Sequence, residues 1–196
     1  VQVHTRHGPA FGVVRLLLSS GEAVRSDTGA MVASSYGVTL ETSGKRPVST
    51  VYTAPEAGGW VDIAPAAAGD VYPLEMDGRT GWCLARNSVL AMTKGLRSDP
   101  HWSGFRPLFG SDAGFLEYWS GAGGLVLTSH GAVDMLTLEQ GELITVSPAY
   151  LLGYPEGVQS RLRALDQSAP QSMRTGEGLA VDFAGPGQVL LQTRAR

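Results

Sequence analysis

A short pattern, met three times, decides the fold: Met31-Val32-Ala33-Ser34-Ser35-Tyr36-Gly37-Val38, Val89-Leu90-Ala91-Met92-Thr93-Lys94-Gly95-Leu96 and Leu151-Leu152-Gly153-Tyr154-Pro155-Glu156-Gly157-Val158. Each copy has two apolar residues, a small residue, three variable ones, a glycine and an aliphatic. The three glycines, Gly37, Gly95 and Gly157, stand 58 and 62 residues apart. Self-similarity at such a period marks one supersecondary unit used repeatedly.

The repetition extends outward. Gly21-Glu22 lies sixteen residues before Gly37, and Gly141-Glu142 sixteen before Gly157. Leu16 and Leu18 precede the first pair and Leu136 and Leu138 the second. Leu74 and Met76 fill the same slots in the middle copy, whose glycine is displaced to Gly78. A second element recurs at 64 residues: Gly114-Phe115, Trp119, Gly121, Gly123, Leu125 and Leu127 match Gly178-Leu179, Phe183, Gly185, Gly187, Val189 and Leu191. Gly59, Val61 and Ile63 form a weaker copy. The recurrent glycines supply positive φ or close backbone approach at corners.

Between these markers the chain alternates. Leu16–Leu18, Trp60–Ile63, Val71–Met76, Leu125–Thr128, Met135–Leu138 and Val189–Thr193 read as strands, with glycine or proline every ~8–12 residues, as in sandwiches and barrels. The best helical stretch, Val158 to Asp166, suits a strand nearly as well, with Arg161 and Arg163 alternating with Leu162 and Leu165. The expectation is an all-β, mostly antiparallel, barrel-like β-sandwich, closed or nearly closed, built from three internal repeats of about 60 residues. It would be a single domain over 1–196, with repeats near 1–45, 46–105 and 106–170 and a closing strand over 176–194.

Composition narrows the function. With 43% hydrophobic and 17% charged residues, the chain carries enough apolar material for a core and is not of the disordered class. A net charge of −3 and a pI near 5.8 supply no basic field for nucleic acid, so no nucleic-acid partner is expected. No apolar run reaches the ~18 residues of a membrane-spanning helix, and the N-terminal segment has no signal-peptide pattern. The expected location is the cytoplasm. A single cysteine, Cys83, excludes an intrachain disulfide framework.

Candidate chemistry is sparse. His4, His7, His101 and His130 form no metal-ligand spacing, and His4 and His7 are expected on opposite faces of an extended segment. Cys83, in Gly81-Trp82-Cys83-Leu84-Ala85, reads as a buried small hydrophobe rather than a nucleophile. Gly121-Ala122-Gly123-Gly124 lacks the lysine and helix of a phosphate loop and reads as a β-turn device, like Gly185-Pro186-Gly187. Glu22 and Glu142 read as solvated turn carboxylates. No catalytic, cofactor-binding or metal-binding residue is expected. One segment is unlike the rest: Pro100 to Phe109 gathers His101, Trp102, Phe105 and Phe109. These make either an interaction surface or a cap over one end of the barrel.

Gly29-Ala30-Met31-Val32-Ala33, Tyr52-Thr53-Ala54 with Gly69-Asp70-Val71, Gly121-Ala122-Gly123-Gly124-Leu125-Val126-Leu127, Gly141-Glu142-Leu143, Gly176-Glu177-Gly178-Leu179 and the closing Gly185 to Arg194 occur in family order. In them the chain resembles the altered-inheritance-of-mitochondria family, whose fold is grouped with the tryptophan RNA-binding attenuator protein-like β folds. Residues 43–50 depart from the family pattern, keeping Gly44-Lys45-Arg46-Pro47 of a longer glycine-rich basic segment. The resemblance implies a β-sandwich or barrel of repeats and, for bacterial members, no established enzymatic activity. A shared fold name does not carry RNA or tryptophan binding with it. The expected function is a non-enzymatic structural or scaffold protein that acts through its surface, with a protein partner or self-association as a homo-oligomer. The alternative is a small-ligand-binding barrel; a hydrolase or metal enzyme ranks below both.

Overall fold

The computed structural model describes residues 1–43, 49–99, 115–164 and 178–195. Strands dominate, and the strand pairs are antiparallel. The chain runs three times through one pairing scheme. The first round is β2 (Val13–Leu18), β3 (Ala23–Asp27), β4 (Met31–Ser34), β5 (Thr39–Ser43), β6 (Ser49–Thr53) and β7 (Gly59–Ile63). Its sixth strand, β7, pairs β2 and β4, and its fifth, β6, pairs β3 and β5. The third round repeats this with β13 (Val133–Leu138), β14 (Leu143–Val146), β15 (Leu151–Pro155), β16 (Gln159–Ala164), β17 (Leu179–Ala184) and β18 (Gly187–Gln192). Here β18 lies between β13 and β15, and β17 between β14 and β16. The middle round has β8 (Val71–Asp77), β9 (Trp82–Ala85), β10 (Val89–Thr93) and β11 (Leu96–Asp99), then one long strand, β12 (Leu116–Thr128), which pairs all four. An additional strand, β1 (Gln2–Arg6), lies beside β2.

Register proves the equivalence. Met31 pairs Ile63, Val89 pairs Leu127 and Leu151 pairs Leu191. In each case the register then shifts by one residue, at Ala33, Ala91 and Gly153. The extra residue at the irregularity is Val32, Leu90 or Leu152. Pairing groups the chain as 13–63, 71–128 and 133–192, so β17 and β18, within the expected closing segment, are the last two strands of the third round.

Contacts divide the chain into two compact units. One comprises Val1–Arg79, Asn87–Leu96 and Gly121–Val133; the other comprises Thr80–Arg86, Arg97–Ser120 and Asp134–Arg196. In the first, the sheet β1-β2-β7-β4 and the sheet that runs from the second half of β12 through β10, β3, β6 and β5 share one core. Strand period sets that core. Val14, Leu16 and Leu18 of β2 are buried with Val61, Ile63, Val24, Tyr52, Leu90 and Val126, while Arg15 and Leu17 face the other way. In the second unit, β13-β18-β15-β9 with the first half of β12, and the sheet β14-β17-β16, bury Cys83, Leu116, Leu138, Leu151, Tyr154, Val181, Phe183 and Val189. Tyr154 meets Phe183 edge to face, 4.8 Å between ring centroids.

Three sequence expectations need correction. Among the described residues no sheet closes into a barrel, and each ends on edge strands. In accord with the all-β expectation, the stretch that suited a strand nearly as well as a helix is strand β16 up to Ala164, its two faces alternating in burial; Leu165 and Asp166 lie outside the described residues. Gly121–Gly124 is no turn. It lies inside β12, where a Cβ on Gly121 would fall 2.1 Å from the Gly95 carbonyl oxygen and one on Gly123 would fall 2.3 Å from Thr93 Oγ1. Close approach, not chain reversal, requires these glycines. His7 lies beyond the end of β1 with φ of 59°, so it shares no extended segment with His4.

Candidate functional site

The three signature glycines fall at equivalent places, each in the turn after the third strand of its round: β4 to β5, β10 to β11 and β15 to β16. Gly37 and Gly95 have φ of 89° and 106°. Gly157 does not share that conformation and a Cβ there would meet open space, so its turn does not demand glycine. His101, Trp102, Phe105 and Phe109, the sequence-predicted interaction surface, lie outside the described residues.

The other candidates are occupied by structural work. Glu22 and Glu142 hold the same turn. The Ser19 N–H donates to Glu22 Oε2 and the Glu139 N–H to Glu142 Oε2, both at 2.9 Å. Gly21 and Gly141 stand beside them at φ of 66° and 84°. Cys83 is buried, and burial pushes its thiol up to about 11, which makes it a poor nucleophile. Tyr118 Oη donates to Glu156 Oε2 at 2.5 Å and the Gly81 N–H donates to Oε1 at 3.0 Å. The carboxylate pushes the Tyr118 phenol up to about 12 and is itself held below its ordinary range by the same bond. Among the described residues no group of three histidine, cysteine or carboxylate side chains is placed to hold a metal ion.

Sequence reasoning missed two features. The first is Asp62, only 3% exposed on β7. Arg15 clasps it with Nε to Oδ1 and Nη2 to Oδ2, both at 2.8 Å, and Arg6 Nη2 reaches Oδ2 at 2.8 Å. The Arg15 guanidinium lies 4.0 Å over the Trp60 ring. Asp62 takes the place held by Val126 in β12 and Leu190 in β18, so the 64-residue alignment already shows a charge at an apolar position. The second is an open cleft of about 510 Å³ in the first unit, lined by Val3, Leu16, Val24 and Met92 with Glu75 and Lys94.

The free sheet edges complete the picture. β10 has β12 on one side and β3 on the other; β15 has β18 and β9. Their counterpart β4 has β7 alone among the described residues. Val32 is accordingly 59% exposed, where Leu90 and Leu152 are 2% and 0%. Likewise β3 and β9 each pair on both sides, whereas β14 has β17 alone among the described residues, and Leu143 is 74% exposed.

The molecule is therefore an antiparallel β protein of three equivalent rounds, with two apolar strands, β4 and β14, that have one neighbour each among the described residues. Its chain belongs to the family described as Mitochondrial biogenesis AIM24, whose profile matches residues 3–194. It is 25% identical over 205 residues to an uncharacterized protein of Streptococcus pyogenes serotype M6, covering 93% of this chain and 82% of that one. The crystal structure of a Streptococcus pyogenes protein has the same fold, with a TM-score of 0.75 and 21% identity, covering 99% of this chain and 94% of that one. Among the described residues no helix is long and apolar enough to cross a membrane.

Proposed function

We propose that the protein is a non-enzymatic scaffold that holds a protein partner along its free strand edges. The observation that carries this reading is the inversion of burial at one repeated position, Val32 exposed where Leu90 and Leu152 are covered. An apolar side chain on an uncovered edge strand is a template for a further strand. The engagement of Glu22, Glu142, Asp62 and Cys83 in turns, ion pairs and core supports a structural rather than a catalytic use.

A photo-crosslinking residue at Val32, and separately at Leu143, tests this in cells that produce the chain. Both positions are expected to capture a polypeptide, while exposed Glu56, in the turn before β7, captures none. Failure at both edges refutes the scaffold reading.

The cleft favours a second reading, a site for a small, mostly apolar ligand, since its volume falls in the ~300–1,000 Å³ range of such sites. Native mass spectrometry of the purified chain is then expected to show an organic ligand that Met92→Trp displaces. A ligand-free spectrum counts against it.

A further inference from the structure

The scheme that joins one round to the next contains its own unused ends. Besides the isolated parallel bridges Phe11–Gly69 and Gly69–Gly131, consecutive rounds are joined by one kind of strand pairing, in which the second strand of one round pairs the third strand of the next. Between the first and second rounds, Ser26, Arg25 and Val24 of β3 face Ala91, Met92 and Thr93 of β10. Between the second and third, Leu84, Cys83 and Trp82 of β9 face Gly153, Tyr154 and Pro155 of β15. Counted from Gly95 and Gly157, the receiving residues occupy identical positions in both junctions. Among the described residues one third strand, β4, receives no such strand, and one second strand, β14, is received by none.

We propose that β4 of one copy of this chain pairs antiparallel with β14 of a second copy, in the register Ala33–Val146, Ser34–Thr145 and Ser35–Ile144, so that chains assemble head to tail. The inference rests on the scaffold reading above and names its partner. Two observations point to a second copy. The register follows from the two junctions already formed, which require of β4 a strand of the kind that only β3, β9 and β14 represent, and β3 and β9 are committed. The edges are also chemically singled out. Among the described edge strands, β1 carries Arg6, β5 carries Glu41, β8 carries Glu75 and Asp77, β11 carries Arg97 and Asp99, β13 carries Asp134 and β16 carries Arg161 and Arg163, charges of the sort that discourage edge-to-edge pairing. β4 (Met-Val-Ala-Ser) and β14 (Leu-Ile-Thr-Val) carry none. Because the two edges differ, the contact is heterologous, and each added chain presents a fresh β4 or β14 until a ring closes.

A pairing of a few residues is small for a protein interface and makes a weak, concentration-dependent one. Sedimentation of the purified full chain, across roughly 1 to 200 μM, is expected to show its average mass rising about twofold or more. Val32→Lys, at a position already exposed, is expected to keep the chain folded by circular dichroism and abolish the rise. Register is read by oxidising a mixture of Ser34→Cys chains and Thr145→Cys chains. A disulfide between positions 34 and 145 of different chains is expected, with Cys83 buried and out of the reaction. Three results overturn the proposal: a chain monomeric throughout, a self-associating Val32→Lys variant, or a Ser34→Cys/Thr145→Cys double variant that closes within one chain. Photo-capture at Val32 of a different protein overturns it too, yet leaves the scaffold reading standing, whereas absence of any capture removes both.

Discussion

Replacing Asp62 by Asn removes one negative charge from between two guanidinium groups while keeping the shape of the side chain. The carboxylate accepts three charge-assisted hydrogen bonds, one from Arg6 and two from Arg15. Breaking a fully buried ion pair costs roughly 3–5 kcal/mol. Here the carboxylate is covered but the Arg6 and Arg15 side chains are 39% and 34% exposed, so water screens what remains, and the loss should be about 2–3 kcal/mol. The pH dependence has a definite sign. The hydrogen bond from Arg15, more than any other influence, holds the Asp62 carboxyl below the ordinary range. Its stabilisation is therefore complete above the unfolded carboxyl's value, near 3.9, and is lost as pH falls through the lower folded value. Urea denaturation followed by circular dichroism, at pH 7 and in steps down to about pH 3, should show wild type and Asp62→Asn separated at neutral pH and converging in acid. The repeat supplies a control. Since Val126 and Leu190 hold the same place in the other rounds, Arg6→Met/Arg15→Met/Asp62→Val should recover most of the loss. A loss below about 0.5 kcal/mol at pH 7, or a gap that widens in acid, would refute the reasoning.

Two glycines of opposite kind should separate on thermal melting. A Cβ on Gly69 would sit 1.8 Å from the Ser129 carbonyl oxygen, so Gly69→Ala should lower Tm steeply. Gly21→Ala meets open space and should cost only the ~1–2 kcal/mol of a left-handed backbone. Cys83 should resist a thiol reagent at pH 8 in the native protein and react at once in urea, and Cys83→Ser should cost about 1–3 kcal/mol if its hydroxyl finds no partner. In gel shifts against a mixed RNA pool the chain should bind no tighter than ~100 μM at physiological salt; micromolar binding with a steep salt slope would refute the charge argument.

Much of the strand framework was legible because its markers are local. A turn between two consecutive strands leaves glycine within a few residues of the apolar run it follows, so Gly37 and Gly95 could be found by spacing alone. Two things were not local. Gly121-Ala122-Gly123-Gly124 and Gly185-Pro186-Gly187 look alike in composition, yet the first lies within β12 while the second connects β17 to β18. What separates them is the neighbouring backbone, Gly95 against Gly121, and no pattern along the chain reports that approach. Asp62 was legible in principle, since aligning the rounds sets it beside Val126 and Leu190. Its partner Arg6 lies 56 residues away, so the clasp itself was not.

The open edges show the same limit from the other side. Val32, Leu90 and Leu152 carry one hydropathy signal, and by sequence each belongs in a core. Leu90 and Leu152 lie on strands that have a second neighbour from the preceding round, β3 for one and β9 for the other. The first round has no predecessor in the described chain, so Val32 keeps the residue type of a covered position without the cover. Every described edge strand other than β4 and β14 carries a charged residue. An apolar β4 fits the proposed pairing, in which its cover comes from a second copy. Under that proposal the interface follows from the repetition: a unit that gives its second strand and receives on its third leaves one of each at the ends, whatever the number of rounds between them.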